Sequence, residues 1–374
     1  MQAIVVSRAA ADPAHRAVLK ALVGLNWRVT AAVPHRWKRP GRQEPLLTAT
    51  GEDGGVRIVP ITVKTTRGGR PGGAERWDAR ALRRLFKDVR PDLVHLEAEP
   101  TTRVASAVTG MCRAGGLDIP TVLETWESLA PRRSRSLRER ANRTRSLSRL
   151  SGLIAGSSHA AELIRAEYPR LPTIVIPDAA RDIPSSIPAR PEERFTIACA
   201  GRLIPERGVD LLFHACVTLP CSWSIRVIGT GPEQESLEHL AEQLGIASRV
   251  TWHGGLPHSA RQVIWPEVDC IAVPSRRTAD WVEAKTPLLL EAMSHGVAVV
   301  AADTGSLPEV IAEAGIVVPE GDVDSLTQAL ERLSVARLRH DLGRAARQRV
   351  MQHFSPTAIA KQMADGWTRF LGAA

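Results

Sequence analysis

The sequence predicts an α/β protein made of two Rossmann-like domains facing across a cleft, and three observations predict it. Short β-branched runs alternate with helix-length segments, the pattern of a parallel sheet covered by helices on both faces. The alternation stops at "DAARDIPSSIPARPEER", residues 178–194, and then starts again. That stretch is rich in Pro, Ser and charge and has no apolar period, so it reads as a linker. The chain is also 374 residues long, more than one hydrophobic core usually fills. The domains are therefore expected at 1–185 and 186–355, with a C-terminal helix over 356–374 packing back on the first.

In the first half, strands are expected at 3–7, 28–33, 56–63, 92–96, 121–124, 152–156 and 173–177. Helices fit 13–25, 78–88, 101–114 and 157–167, the last capped by Ser157 or Ser158. In the second half, strands are expected at 195–201, 224–229, 249–254, 270–275, 297–302 and 315–319. Helices fit 208–218, 232–244, 287–295, 307–313 and 323–334, and from about 336 the chain reads as helix to its end, broken at "FSP", 354–356. Thr286-Pro287 supplies an N-cap and first helical residue, and Gly296 a stop. Ser306 and Glu309 read as a capping box.

Composition narrows the class. Hydrophobic residues at 44% with 24% charged are ordinary for a globular protein. The five cysteines show no CxxC spacing, which speaks against a disulfide framework or zinc site and for a reducing compartment. No apolar run is long enough to span a membrane, and "MQAIVVSRAAADP" lacks the marks of a signal peptide, so a cytoplasmic protein is expected. The net charge of +9 is uneven: residues 1–185 hold 31 Lys and Arg against 18 Asp and Glu, and the remainder 18 against 22. That asymmetry points to an anionic partner for the first half. It peaks in "PRRSRSLRERANRTRSLSRL", 131–150, with eight arginines against Glu139 alone. As a helix from Ser136 this segment puts Leu137, Ala141, Thr144, Leu147 and Leu150 on a weakly apolar stripe. It suits peripheral binding to an anionic membrane surface, on the inner face of the cell membrane, or a solvated helix packed on its own domain. No nucleic-acid module is present, so no nucleic-acid partner is expected.

Two constellations carry chemistry. In "DWVEAKTPLLLEAMSHG", Glu283 precedes a helix and Glu291 lies about a turn inside it, within an apolar run. A buried carboxylate needs hydrogen bonds. Vicinal hydroxyls, as on a ribose, would supply them to Glu291, and so would a backbone or Arg partner. The helix N-terminus suits a phosphate. In "ACAGRLIPERGVDLL", Gly201 turns the chain after a strand, and Arg202 and Arg207 follow where two guanidiniums could clamp a diphosphate. In the first half, His95 and Glu99 sit at a strand end, as substrate contacts or as a strand-end hydrogen-bonded pair.

These pieces, with "RVIGTGPEQESLEHLAEQLGIASRVTWHGGL", "DCIAVPS" and the E-x7-EAMSHGVAVVAADTGSLPEVI stretch, resemble the C-terminal half of the family 4 retaining glycosyltransferases, also called glycosyl transferases group 1, of GT-B fold. The resemblance covers roughly 195–335 strongly and the first half weakly, in "RPDLVHLEAEP" and "RLSGLIAGSSHAAELI". It implies a retaining, metal-independent transfer from a nucleotide-diphosphate sugar to a saccharide, lipid-linked or small-molecule acceptor hydroxyl, with no cofactor. It implies that Arg202 and Arg207 (where the family usually has Lys) bind the diphosphate, that Glu283 contacts the transferred sugar, and that Glu291 holds the ribose. Gly229 and Gly231 would line the phosphates, His253 would lie near the base, and Lys285, Leu288 and Leu289 would complete the nucleotide-sugar site. There are departures. Glu283-Ala284-Lys285-Thr286 stands where the family has a Gly-rich run, "SRAAADPAHR" has no Gly-Gly turn, and Glu124 stands where many members have a His near the sugar. A nucleotide-sugar 2-epimerase and a non-enzymatic anion-binding protein are the alternative readings.

Overall fold

The first apolar run, Gln2–Val6 (β1), is buried from Ala3 to Val6, as expected of a strand covered on both faces. It lies inside an eight-stranded sheet in a computed structural model that describes residues 1–37, 44–65, 75–114, 116–127, 136–188 and 194–372. These residues form two units: Met1–Pro177 with Pro356–Ala374, and Asp178–Ser355.

In the first unit, α1 (Ala17–Gly24) leads to β2 (Arg28–Pro34), a short hairpin of β3 (Arg36–Trp37) and β4 (Leu46–Leu47), then β5 (Gly51–Asp53) and β6 (Val56–Ile61). A second hairpin, β7 (Val63–Thr65) and β8 (Glu75–Trp77), precedes α2 (Ala79–Val89) and β9 (Leu93–Glu97). Then come α3 (Arg103–Ala114), β10 (Thr121–Thr125), α4 (Leu137–Leu147), β11 (Gly152–Ala155), α5 (Ser158–Glu167) and β12 (Thr173–Val175). The sheet order is β12-β11-β10-β9-β1-β2-β6-β5, parallel except for β5. Strand order reverses between β1 and β9, so the ligand crevice of such a sheet opens at their carboxyl ends.

The second unit runs β13 (Phe195–Ala200), α6 (Val209–Val217), β14 (Trp223–Ile228), α7 (Gln234–Gln243), β15 (Val250–Gly254), α8 (His258–Ile264) and β16 (Cys270–Val273). It continues with α9 (Pro287–Ser294), β17 (Ala298–Ala302), α10 (Leu307–Ile311), β18 (Ile316–Val318), α11 (Val323–Ser334) and α12 (Ala336–Arg349). Its parallel sheet has the order β15-β14-β13-β16-β17-β18 and switches between β13 and β16. Ile197, Cys199, Val227, Cys270 and Val300 pack one face of this sheet, and Ala198, Ile271, Val299 and Met293 the other.

Helix α13 (Pro356–Gly372) closes the first unit, not the second. Ile359, Ala360, Met363, Trp367 and Phe370 are its buried positions. Trp367 stands edge-on to Trp27, with ring centroids 4.9 Å apart. Phe370 fills the space a side chain at Gly152 would need: a Cβ there would lie 2.3 Å from its ring.

Three expectations change. The second unit begins at Asp178, eight residues before the boundary placed at 186, because the linker is held there: Asp182 reaches His258, and Arg347 donates to the Pro184 carbonyl. Ser306 forms no capping box; its hydroxyl donates to the carbonyls of Glu283 and Ala284 instead. In the arginine-rich stretch, residues 131–135 lie outside the described residues. Beyond them, α4 buries Asn142, Arg143, Ser146 and Leu147, while Leu137 is 82% exposed. The expected apolar stripe therefore does not face inward as a unit. Arg143 turns in because two carboxylates, Glu127 and Glu167, neutralise it there.

Candidate functional site

The second unit's switch point is built by two turns that touch. A Cβ at Gly208, at φ +69°, would meet the Pro274 carbonyl oxygen at 2.0 Å, so the loops leaving β13 and β16 are in backbone contact there. A Cβ at Gly229, at φ +154°, would meet the Gly201 oxygen at 1.7 Å. Gly231 presses likewise on the Leu203 backbone. The glycines thus let the turns after β13 and β14 pack backbone on backbone.

Across this crevice Arg207 donates to Glu283 Oε2, which also accepts from Ser275 Oγ at 3.0 Å. The guanidinium stands 5.5 Å over the Trp281 ring. Burial pushes the Glu283 carboxyl above its ordinary pKa, while Arg207 and Ser275 act against that push. Arg207 Nε is buried and has no acceptor among the described residues. Arg202, on the same turn, is exposed, and its side chain makes no hydrogen bond or ion pair among them. Arg276 ties the turns together by donating to the Pro205 carbonyl and to Asp210 at 2.7 and 2.8 Å.

Glu291 is surrounded differently. Its Oε1 accepts from Arg261 Nε at 3.0 Å and Trp265 Nε1 at 2.7 Å, and its Oε2 accepts from Arg261 Nη2 at 2.8 Å. Oε2 also lies 3.0 Å from His258 Nδ1, whose other nitrogen is 2.6 Å from Asp182 Oδ2. Burial alone would raise this carboxyl, but the bonds from Arg261 and Trp265 hold it below its ordinary value of 4.5. Of the two openings left in the sequence, the protein-partner one is what this geometry contains.

Other expected residues fall as follows. Lys285 is exposed, 3.9 Å from Asp178. Leu288 is half-buried, and the side chain of Leu289 packs in the core. His253 is the penultimate residue of β15; burial and then the charge of Arg226 push its pKa down, and its buried Nε2 has no partner among the described residues.

The first unit also gathers polar groups at its switch point. His95 is fully buried, with Nε2 3.0 Å from Glu124 Oε2 and Nδ1 3.0 Å from the Trp367 indole nitrogen. Glu97 is the cross-strand neighbour of Glu124, and Ser7 donates to it from the end of β1. His95, Glu97 and Glu124 present ligand atoms within 4.8 Å of one another, a spacing a cation could bridge. Glu99 points elsewhere: it accepts from Thr125 Oγ1 at 2.7 Å and the Trp126 amide at 3.3 Å. The sequence reading joins His95 with Glu99; the structure joins His95 with Glu124. It missed Ser7, Glu97, Trp367, Ser275, Arg261, His258 and Trp265. The spacing of His258, Arg261 and Trp265 along one helix face was the available signal for the last three.

Known proteins resemble this chain over both units. A family model described as "Glycosyl transferase 4-like domain" matches residues 11–179, and one described as "Glycosyl transferases group 1" matches residues 181–349. The GDP-mannose-dependent alpha-(1-6)-phosphatidylinositol monomannoside mannosyltransferase of Mycobacterium tuberculosis is 32% identical over 181 residues, 46% of this chain and 47% of that protein. The D-inositol 3-phosphate glycosyltransferase of Mycolicibacterium smegmatis is 30% identical over 208 residues, 51% of this chain and 45% of that protein. The chain spans about half the length of the curated relatives it matches. Among solved structures, sucrose-phosphate synthase from Thermosynechococcus elongatus matches with a TM-score of 0.72 at 17% identity, over 100% of both chains. Anabaena HepE in complex with UDP matches at 0.71 and 17%, over 99% of this chain and 100% of that one. At such identities the likeness shows the fold, GT-B.

The Glu291 cluster predicts a pH dependence. A carboxyl held below its ordinary value when folded adds stability above pH 4.5, and that stability is lost as pH falls through the folded value. Glu291→Gln leaves Arg261 without its buried anion, at a cost of about 3–5 kcal/mol near neutrality. Urea unfolding should show this gap at pH 7 and a smaller one below pH 4.5. A gap of equal size at both would contradict the assignment.

Proposed function

The chain belongs to the glycosyl transferases group 1 family, and we propose that it moves a sugar, with retention, from a nucleotide-diphosphate sugar to an acceptor hydroxyl. The observation that carries this reading is Arg207 at the switch point of the second unit. One end of its guanidinium holds Glu283, and its buried Nε has no acceptor among the described residues. A diphosphate oxygen would supply that acceptor, and exposed Arg202 stands on the same turn to take another. Glu283 would accept from hydroxyls of the transferred sugar. Neutral His253 lies at the next strand end but one, where a base could rest. Glu291 would take ribose hydroxyls by giving up His258, which keeps Asp182 on its other side.

The acceptor oxygen bonds to the anomeric carbon as the bond from that carbon to the diphosphate breaks. A phosphate oxygen of the leaving group, on the same face, receives the acceptor's proton. Arg202 and Arg207 neutralise the departing charge in place of a divalent metal. At the carboxyl edge of the first unit, partly exposed Glu97 and Glu124 offer hydrogen bonds to a polyol, held from behind by buried Ser7 and His95, and the two curated relatives named above make inositol-bearing acceptors the first to try. The acceptor side would also meet an anionic lipid surface. Arg138, Arg140 and Arg145 are exposed on α4 around Leu137. Among the described residues no helix is long and apolar enough to cross a membrane; the association we propose is peripheral, through these arginines.

Arg202→Ala tests the donor site most cleanly, because Arg207→Ala would strand buried Glu283. Turnover should fall by about 10²–10³ with every acceptor, and wild-type activity should survive EDTA. Glu283→Ala should spare nucleotide affinity and damage transfer. Near-normal turnover in Arg202→Ala, or activity that only Mg²⁺ or Mn²⁺ restores, would sink the reading. For the lipid surface, the protein should sediment with phosphatidylglycerol vesicles at low salt and be released by about 0.5 M. Replacing Arg138, Arg140 and Arg145 by Ser should weaken that binding. Absence of low-salt binding would favour an acceptor free in solution.

A further inference from the structure

We propose that Trp367, on the C-terminal helix, is a positioning residue for the sugar-contact edge of the first unit: its indole N–H locks His95 in one tautomer and aims the single imidazole N–H at Glu124. The effect on turnover rests on the transfer reading above; the tautomer lock does not.

An indole nitrogen donates and cannot accept. Trp367 Nε1 lies 3.0 Å from His95 Nδ1, so Nδ1 must offer a lone pair and the ring proton sits on Nε2. Nε2 is in turn 3.0 Å from Glu124 Oε2, so donor meets acceptor at both steps. The other tautomer would set N–H against N–H at Trp367 and a lone pair against a carboxylate at Glu124. Trp367 and His95 are both 0% exposed, so water cannot relieve either mismatch.

Trp367 is itself held. Trp27 stacks edge-on against it, and α13 is seated by Phe370 over Gly152 and by Gly366 against Ile174. Glu124 pairs with Glu97 across β10 and β9, at the carboxyl edge where parallel sheets bind ligands. A residue 272 positions away in sequence from His95 therefore sets what that edge presents. The same lock settles the nearby cation spacing. A protonated Nε2 has no lone pair for a metal, so His95, Glu97 and Glu124 form a hydrogen-bonding edge.

The test uses the full chain labelled with ¹⁵N-histidine, read by two-bond ¹H–¹⁵N NMR, with His95 assigned from the signals lost in His95→Gln. Wild type should show Nε2–H and unprotonated Nδ1. Trp367→Phe keeps a ring against Trp27 but removes the donor. It should lose the single tautomer, and turnover should fall about ten-fold, the scale of one hydrogen bond, with the donor KM unchanged. An Nδ1–H tautomer in wild type overturns the proposal without any variant. So does an unchanged Nε2–H spectrum in folded Trp367→Phe, or a lost tautomer with undiminished turnover. The spectrum needs no substrate, so failure of the transfer reading would leave it standing.

Discussion

The pairing of buried Glu283 with Arg207 holds the second unit's site in place. A carboxylate in that position costs several kcal/mol without a cationic or hydrogen-bonding partner. Arg207 comes from the turn after β13 and Glu283 from the loop after β16, so the pair spans the point where strand order reverses. Neighbouring features follow from it. Ser275 adds a donor to the same oxygen, and Trp281 covers the guanidinium. The Glu283 carbonyl accepts from the Ser306 amide at 2.9 Å, which fixes the start of α10. Gly208 and Gly229 permit the close turns on which Arg207 and Arg202 stand.

Both units apply the same physical device at their switch points, with different chemistry. In the second, arginines dominate the turn after the first strand, which suits an anionic diphosphate. In the first, Glu97 and Glu124, held by buried Ser7 and His95, offer hydrogen bonds suited to hydroxyls. Glu291 shows a third arrangement, a carboxylate with both oxygens engaged by Arg261, Trp265 and His258. It ties α8, α9 and the linker residue Asp182 together, so nucleotide entry there would be coupled to the segment at which the second unit begins.

Most of the fold was legible because it rests on local pattern. Central strands such as β1, β13 and β17 are nearly continuous apolar runs, and each expected strand of the two sheets appears within about two residues of its place. Two caps that depend on the chain alone also held: Ser157 accepts from the Ala160 amide, and Gly296 stops α9 at φ +66°, whereas Thr286 stands at the N-cap of α9 without a side-chain hydrogen bond. The errors lie where a distant partner decides. Ser306 has the spacing of a capping box, yet its hydroxyl goes to Glu283 and Ala284. The α4 stripe fails because Glu127 and Glu167 draw Arg143 inward. Glu291 could be read as needing partners, but not which ones, since Arg261 and Trp265 lie on α8 and the turn after it, about 30 residues earlier. His95 could be singled out from its strand end, whereas Trp367 could not, because nothing local links the two.

The account depends most on the switch point of the second unit being a donor site, and ligand-induced thermal stabilisation tests that directly. A ligand that binds only the folded chain raises its apparent stability by mass action. Melting curves would be recorded for wild type and Arg202→Ala with a panel of nucleotide-diphosphate sugars and their parent nucleosides. At least one nucleotide-diphosphate sugar should raise the wild-type melting temperature by several degrees near 100 Kd. Its parent nucleoside should do far less, and Arg202→Ala should lose most of the gain. No stabilisation by any member of the panel, or equal stabilisation of the variant, would contradict the account.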